Sequence, residues 1–299
     1  MKSLVTGGCG FIGSNLVDKL VELGHEVTVI DTAFPKYKNE KAKYVRQDIC
    51  DYHITRIFYY GVDYVFHMAA EAKIGECIEN PLRAVSTNTM GTATVLQCSR
   101  EAKVKRVVYS STSSGYGLNE PPNVETQSDD CLNPYSVSKI GGEKLCKMYT
   151  DLYEFPTVIL RYFNAYGNRQ AETGQYAPVM GIFFRQRDAG EELTIVGDGE
   201  QRRDFVHVSD IVNANIMCAI GNPDEECYGQ VYNVGTGINY SVKEIADMIS
   251  DKQTYLPPRK GEARVSLSNC DKIKKVFGWE PKVKLEDWIK EYGKEQVTA

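Results

Sequence analysis

The chain of 299 residues has few of the residues that metal sites, disulfides and hydrolytic triads require. It contains four histidines, and its nine cysteines stand singly, with no pair at C-x-x-C spacing. We therefore predict neither a metal site nor a disulfide framework, and scattered free thiols indicate a reducing, cytoplasmic location. So few histidines also disfavour a hydrolase built on a Ser-His-Asp arrangement.

Long apolar runs and an excess of basic residues are also missing. No apolar stretch approaches the roughly 18 residues that span a bilayer. The N-terminal segment MKSLVTGG enters a predicted strand directly, without the apolar core of a signal peptide. The net charge is −5, from 35 Lys and Arg against 40 Asp and Glu. An acidic chain supplies no field that matches nucleic-acid phosphates, so we expect neither a membrane nor a nucleic-acid partner.

Short β-branched runs alternate with helical patterns through the first half of the chain. The predicted strands are KSLVT, HEVTVID, KAKYVRQD, VDYVFHMA, KRVVYSS and FPTVILRYFNAYG. The segments between them include FIGSNLVDKLVELG and one long predicted helix, NPLRAVSTNTMGTATVLQCSREA. This alternation, with short connections, predicts a doubly wound α/β fold with helices on both faces of a parallel sheet.

The first strand ends in a glycine-rich loop, VTGGCGFIGSN, that opens the first helix. Gly7, Gly10 and Gly13 allow a tight turn there and let a pyrophosphate approach the backbone. Asp31 closes the second strand about twenty residues later, where a carboxylate accepts from ribose hydroxyls and repels a 2′-phosphate. The pattern therefore predicts NAD, and not NADP, as the cofactor.

Asp48 and Ile49 end the third predicted strand, at the edge where the adenine of a dinucleotide is expected. We predict that they hold the adenine, and a plain strand-end turn is the alternative for Asp48. The α/β pattern loosens after residue 165 and resumes in DFVHVSDIVNANIMCAI and QVYNVG, before tail helices near 241–251 and 285–295. We predict a Rossmann domain of 1–165 plus about 207–236, and a smaller discontinuous α/β lobe of about 166–206 plus 237–299.

The segment NPYSVSKIGGEKLC places a tyrosine and a lysine four residues apart at the start of a predicted helix. Tyr135 and Lys139 are one turn apart and share a face. Such pairs are common on exposed helices, where they carry no function. Alternatively, Lys139 lowers the pKa of Tyr135 from about 10 so that the phenol acts as a base. The hydroxyl-rich strand end in KRVVYSSTSSGYG favours this second interpretation, because it meets the glycine loop at one edge of the sheet.

These motifs occur, in order, with others that cover nearly the whole chain: TGGCGFIGSN, VFHMAA, NTMGTATVLQC, SSTSSGYG, NPYSVSK, LRYFNAYGNRQ, LTIVGDGEQRRDFVHVSD and YNVGTG. The set resembles the extended short-chain dehydrogenase/reductases, and within them the NAD-dependent nucleotide-sugar epimerases of the UDP-glucose 4-epimerase group. The resemblance implies tightly held NAD in the Rossmann domain and a UDP-sugar in the second lobe. It also implies a homodimer through the helices near 81–101 and 135–153.

The resemblance assigns roles residue by residue. It implies Thr112, Tyr135 and Lys139 as the catalytic residues, with Tyr135 as acid and base and Thr112 bridging it to the sugar hydroxyl. Cofactor contacts are implied for Gly7, Gly10, Phe11, Ile12, Gly13, Asp31, Asp48, Ile49, Ala69, Asn88, Tyr135, Lys139 and Tyr162. Substrate contacts are implied for Thr112, Tyr135, Asn164, Arg203, Arg259, Glu262 and Ser266. For Arg259 and Glu262, a surface ion pair in a polar loop is the alternative.

The implied activity is that of a UDP-sugar 4-epimerase, which inverts C4 through a 4-keto sugar. Dehydratases of the superfamily carry an acidic pair directly after the catalytic threonine, and decarboxylases a glutamate, where this chain has Ser113 and Ser114. A related dehydratase or reductase and a non-catalytic dinucleotide-binding regulator are the alternatives. The small Ser266, at the position that faces the C2 substituent in the family, implies that UDP-N-acetylglucosamine and UDP-N-acetylgalactosamine are accepted beside UDP-glucose and UDP-galactose. Arg202 has no predicted role.

Overall fold

The computed structural model describes residues 1–172, 177–221, 224–257 and 263–295. Its first part alternates strands and helices almost without interruption. In chain order these elements are β1 (Lys2–Thr6), α1 (Phe11–Glu22), β2 (Glu26–Asp31), β3 (Lys43–Arg46), α2 (Tyr52–Thr55), β4 (Tyr64–His67), α3 (Ile74–Glu79), α4 (Pro81–Val85), α5 (Gly91–Glu101), β5 (Arg106–Thr112), α6 (Pro134–Tyr153) and β6 (Thr157–Tyr162).

The second part has shorter elements and longer connections. They are β7 (Asn164–Tyr166), α7 (Val179–Asp188), β8 (Leu193–Val196), β9 (Arg202–His207), α8 (Val208–Ile220), β10 (Gln230–Val234), β11 (Asn239–Ser241), α9 (Val242–Ile249), β12 (Gln253–Leu256), α10 (Asp271–Phe277) and α11 (Leu285–Glu295). Among the described residues, no helix is long and apolar enough to cross a membrane.

Seven strands form one parallel sheet in the order β10-β6-β5-β4-β1-β2-β3. The order reverses between β1 and β4, which is the point where a doubly wound sheet opens a crevice for its ligand. Apolar side chains cover both faces: α1 and α8 pack on one of them, and α5 and α6 on the other. The predicted doubly wound fold is therefore confirmed.

The remaining strands build a second lobe with its own core. A three-stranded sheet has the order β11-β9-β7, and β8 pairs with β12. Phe183, Phe184 and Trp288 pack into the core of this lobe with side chains from α9. We propose the predicted division into two domains, since β10 and α8 return to the large sheet while β7, β9 and β11 lie outside it.

Two predicted elements are interrupted in the structure. The strand predicted over FPTVILRYFNAYG breaks at Phe163, so that β6 stays in the large sheet and β7 begins the second one. The helix predicted from residue 80 to 102 contains a π-helical turn, Ser86–Met90, between α4 and α5. A π-turn inserts an extra residue into the ladder, and it often marks a functional position.

Candidate active site

The glycine loop leaves the start of α1 open toward a large cavity. Gly7 has a φ of +74°, and a Cβ built on it would lie 2.5 Å from the backbone nitrogen of Ala69. A Cβ on Gly13 would lie 2.2 Å from the carbonyl oxygen of Gly7, so helix and loop touch through glycine alone. No side chain among the described residues caps α1, whose first turn has no acidic residue. Backbone N–H groups and the helix dipole therefore favour a diphosphate there.

The cavity has a volume of about 710 Å³, which suits a dinucleotide. It follows the carboxyl ends of the strands on both sides of the topological switch point. Its wall contains twelve of the thirteen predicted cofactor residues: Gly7, Gly10, Phe11, Ile12, Gly13, Asp31, Asp48, Ile49, Ala69, Tyr135, Lys139 and Tyr162. The bare helix start, the glycine contacts and the acid at the end of β2 together fit NAD.

Two carboxylates at this wall are held by backbone amides. Asp31 accepts from the N–H of Cys9 through Oδ2 and from the N–H of Ala33 through Oδ1, both at 2.9 Å. These bonds fix the acid beside the glycine loop. Asp48 accepts from the N–H of Cys50 at 2.9 Å and also lines the cavity. Asp48 thus stabilises the turn after β3, and it also lies at the wall where the adenine is predicted to bind.

Asn88, the thirteenth predicted cofactor residue, is not among the residues that line the cavity, and its contact with the cofactor stays a prediction. It is fully buried in the π-helical turn. Its Nδ2 donates to the carbonyl of Glu71 at 3.0 Å and to Oγ of Ser138 at 2.9 Å, while its Oδ1 accepts from the N–H of Glu71 at 2.8 Å. The side chain thus ties the loop after β4 to α6. Its role is to position the wall, because the π-turn directs it inward.

The predicted catalytic residues converge where β5 ends beside the start of α6. A capping box between Asn133 and Ser136 fixes the first turn of α6, which carries Tyr135. Thr112 is the last residue of β5, and its Oγ1 accepts from the N–H of Ser114 at 3.1 Å. Tyr135 lies beside Thr112, whose side chain acts on the pKa of the phenol, and it lines both the dinucleotide cavity and the next one. The three-residue arrangement predicted from the sequence is thus assembled.

The pKa values of this site differ from the prediction. Burial raises the pKa of Tyr135, against the opposing effect of the hydrogen bond with Thr112. The net direction is therefore opposite to the lowering expected from Lys139, because loss of hydration dominates. Burial also lowers the pKa of Lys139 to about 7, although the Glu143 and Cys146 side chains act in the opposite direction.

Two further cavities extend into the second lobe: the first shares Tyr135 with the dinucleotide cavity, and the second shares Asn164 and Arg203 with the first. One of about 490 Å³ is lined by Thr112, Tyr162, Asn164 and Arg203, and one of about 200 Å³ by Ser113, Ser114, Asn164, Arg203 and Ser266. Asn164 donates to the carbonyl of Asp204 at 3.0 Å and to Oγ of Ser266 at 3.4 Å. Four of the predicted substrate residues thus share connected walls with Tyr135. The other two, Arg259 and Glu262, lie outside the described residues.

Arg202 and Asp204, on either side of Arg203, hold the second lobe together. Arg202 donates to Oδ1 of Asn239 at 2.9 Å and to Oε2 of Glu244 at 2.9 Å, which joins β9 to β11 and α9. The fully buried Asp204 accepts from Thr236, Gly237 and Ser268. Neither role was predicted, because both depend on contacts between distant segments. An acid beside an arginine pair in RRDF was the only signal.

Comparisons with known proteins agree with this geometry. The profile of the NAD dependent epimerase/dehydratase family matches residues 3–235. The chain is 37% identical to a putative UDP-glucose 4-epimerase of Methanocaldococcus jannaschii, over 96% of this chain and 95% of the relative. It is 34% identical to a UDP-N-acetyl-alpha-D-glucosaminuronate decarboxylase of Bacillus cytotoxicus, over 97% and 96%.

Among solved structures, the UDP-glucose 4-epimerase of Thermotoga maritima, determined with UDP-glucose, superposes with a TM-score of 0.93. The two chains are 35% identical, and the match covers 99% of this chain and 100% of that one. The resemblance predicted from the motifs is therefore confirmed. The chain belongs to the NAD-dependent epimerase/dehydratase family.

Proposed function

We propose that the protein is a UDP-sugar 4-epimerase, which inverts C4 of a UDP-hexose through a 4-keto intermediate. One observation carries the proposal beyond the family. Among the described residues that line the two cavities next to Tyr135, none has a carboxylate. Elimination of water and decarboxylation would each draw on such a group in this superfamily. Serines at 113 and 114 and the phenol suit a reaction that moves one proton on and off a sugar hydroxyl.

The chain's own residues supply binding, orientation and proton transfer. Tyr135 stands at the boundary of the two larger cavities, where its phenol oxygen would take the proton of the 4-hydroxyl and later return it. Thr112 lies beside the phenol, and its hydroxyl would donate to the phenol oxygen. The ammonium of Lys139, on the same face of α6, would bind ribose hydroxyls and favour phenolate by its charge.

NAD is the cofactor of the family, and the 710 Å³ cavity fits it. Gly7, Gly10 and Gly13 would admit its diphosphate to the start of α1, and Asp31 would hold the adenosine ribose. When bound, NAD supplies the oxidising group that accepts hydride from C4 and gives it back. Because it is regenerated in each turnover, the cofactor need not leave the protein.

The second lobe is proposed to hold the UDP part of the substrate. Arg203 lines both cavities beyond Tyr135, and an arginine fork suits a diphosphate. Asn164 shares these walls and is fixed by the carbonyl of Asp204. The choice of UDP is supported by the two relatives above that are named as acting on UDP-sugars and by the Thermotoga structure determined with UDP-glucose.

The proposal is tested by incubating purified protein with UDP-glucose or UDP-galactose without added NAD. We expect each sugar nucleotide to yield the other. A substrate that carries deuterium at C4 should keep that deuterium in the product. A 4-keto-6-deoxy product would show a dehydratase, and release of CO₂ from a UDP-uronate would show a decarboxylase. If NAD is bound and no UDP-sugar is converted, a non-catalytic dinucleotide-binding protein is the better description.

A further inference from the structure

Glu143 is a buried carboxylate on the helix face that carries the catalytic pair. It follows Lys139 by four residues on α6, as Lys139 follows Tyr135, so the three side chains form one row. Only 3% of its surface is exposed. Its Oε1 accepts from Oγ of Ser111 at 2.5 Å and from Nε of Arg161 at 2.8 Å, and its Oε2 accepts from Nη2 of Arg161 at 2.7 Å.

Ser111 connects this carboxylate to the reacting groups. It precedes Thr112 on β5 and lines both the dinucleotide cavity and the adjoining one. It also pairs with Arg161 across the neighbouring strands β5 and β6, so both reach Glu143 from one side of the sheet. Arg161 also forms an ion pair with Asp129 at 2.6 Å, and its guanidinium lies over the ring of Tyr116. The network thus joins β5, β6 and α6 directly behind the catalytic residues.

Stability alone is a weak reason for burying these charges. The desolvation of a buried ion pair often cancels its Coulomb energy, and apolar replacements of similar volume are frequently as stable. A buried network held by several charged hydrogen bonds does favour one arrangement of the groups around it. Its contact with Ser111, next to Thr112, indicates which arrangement is specified.

The titratable groups around Lys139 also indicate a role for Glu143. The neighbouring titratable groups are Tyr135, Glu143 and Cys146 on α6, Tyr109 on β5 and His67 on β4. Burial raises the pKa of Cys146 and Tyr109 and lowers that of His67, so all three are neutral near pH 7. Glu143, paired with Arg161, is then the carboxylate that favours the charged form of Lys139.

We propose that Glu143 is a positioning residue of the active site, which fixes the end of β5 through Ser111 and places a carboxylate one helical turn from Lys139. The inference rests on the proposed function, in which charged Lys139 and a fixed Thr112 act on Tyr135. The effect on Ser111 and the effect on Lys139 come from two features of the Glu143 side chain that can be changed separately. The Ser111 bond depends on its position, and the effect on Lys139 depends on its charge.

Three variants of the NAD-bound protein separate these effects. Glu143→Gln removes the charge, Ser111→Ala removes one hydroxyl and leaves the charge, and Glu143→Asp keeps the charge but withdraws it from Ser111. Asp151→Asn, which breaks an exposed ion pair with Lys147 on the same helix, is the matched control. The charge of Lys139 is followed by NMR of ¹³Cε-labelled lysine, assigned with Lys139→Arg, and turnover of UDP-glucose is measured against pH.

In Glu143→Gln we expect the titration of Lys139 to move to lower pH by about one unit, and the alkaline limb of kcat to move with it. In Ser111→Ala and Glu143→Asp we expect kcat to fall roughly tenfold. The pH at which Lys139 titrates and the KM should change little. The control should match the parent in all measurements.

An unchanged Lys139 titration in folded Glu143→Gln would overturn the charge assignment. If Glu143→Gln does not fold, Glu143→Asp decides instead. A shifted Lys139 titration in that variant, which keeps the charge, would also overturn the charge assignment. Parental kcat in both Ser111→Ala and Glu143→Asp would overturn the positioning assignment. Absence of epimerisation by the parent protein would instead remove the proposed function, and the lysine titration would still decide whether Glu143 sets the charge of Lys139.

Discussion

The ammonium of Lys139 lies over the ring of Tyr109, 4.2 Å from its centroid, inside the protein. The Tyr109 hydroxyl in turn donates to the carbonyl of Lys139 at 3.0 Å. The aromatic face offers a cation a weak partner in place of water. The ring replaces only part of the lost hydration, so burial lowers the pKa of Lys139 to about 7, and the charged form that remains below that pH costs stability.

Lys139→Met should stabilise the protein at pH 7 and abolish most turnover. Between pH 7 and about 10.5 the unfolded chain binds a proton that folded Lys139 has lost, so this group makes the free energy of unfolding rise with pH. Methionine has no such dependence. We expect urea unfolding to show the variant more stable at pH 7, with a difference that shrinks by pH 9. A difference that stays constant between these pH values would contradict the assignment.

Tyr135→Phe should keep the fold and bound NAD and lose turnover by roughly 10²- to 10⁴-fold, the usual effect of removing a positioned acid-base. Tyr135 lines both larger cavities, and in the variant the ring stays to fill the wall while the phenol oxygen is lost. Tyr153→Phe, at an exposed position on the same helix, is the control. Activity of Tyr135→Phe near that of the control would remove Tyr135 from the mechanism.

Residues whose roles depend on local sequence were the ones that could be predicted. Gly7 and Gly13 stand in a loop whose turn, close approach and following helix are all encoded within a few residues. Asp31 ends a strand at a fixed distance from that loop. The helical spacing of Tyr135 and Lys139 likewise needs no knowledge of the rest of the chain. Sheet order then follows from the rule that parallel strands with helical crossovers wind right-handed.

The remaining features depend on contacts between distant residues. The break at Phe163 exists because β7 pairs with β9, which lies about forty residues further on. Asn88 faces inward because of a π-turn that the apolar pattern of the helix does not reveal. In the sequence, Glu143 resembles an exposed helix residue. Its burial depends on Arg161, which lies on β6. The pKa of Tyr135 was mispredicted because burial cannot be inferred from spacing.

We propose that the protein is a homodimer through the helices near 81–101 and 135–153. Apolar side chains on these helices are exposed, among them Leu82 (82%), Met90 (61%), Val137 (54%) and Leu152 (64%). Exposed apolar side chains on helices that pack side by side are typical of an interface. We expect light scattering at micromolar concentration to give twice the chain mass of 33.6 kDa.

Charged substitutions locate the interface. Leu82→Glu combined with Leu152→Glu should give a folded monomer, because a buried unpaired carboxylate opposes association. Leu23→Glu, at the end of α1 on the opposite face of the sheet, should leave the dimer intact. A monomeric parent would refute the dimer, and an unaffected double variant would place the interface elsewhere.

N-acetylated UDP-hexosamines should be substrates, because the side chain at position 266 is small. Ser266 lines the 200 Å³ cavity together with Asn164 and Arg203, and its Oγ lies 3.4 Å from Nδ2 of Asn164. It therefore lines a cavity of the proposed substrate site and does not face solvent alone. A tyrosine there would overpack the space that an acetamido group needs, at a cost of about 1 to 3 kcal/mol.

The comparison is made with kcat/KM for UDP-N-acetylglucosamine and UDP-glucose in the parent, Ser266→Tyr and Ser266→Ala. We expect the tyrosine to lower use of the acetylated sugar about tenfold or more relative to UDP-glucose, since 1.4 kcal/mol corresponds to a factor of ten. Alanine removes the hydroxyl and keeps the room, so it should keep both activities. If the parent does not convert the acetylated sugar, or the tyrosine leaves the ratio unchanged, Ser266 does not control the size of the C2 substituent.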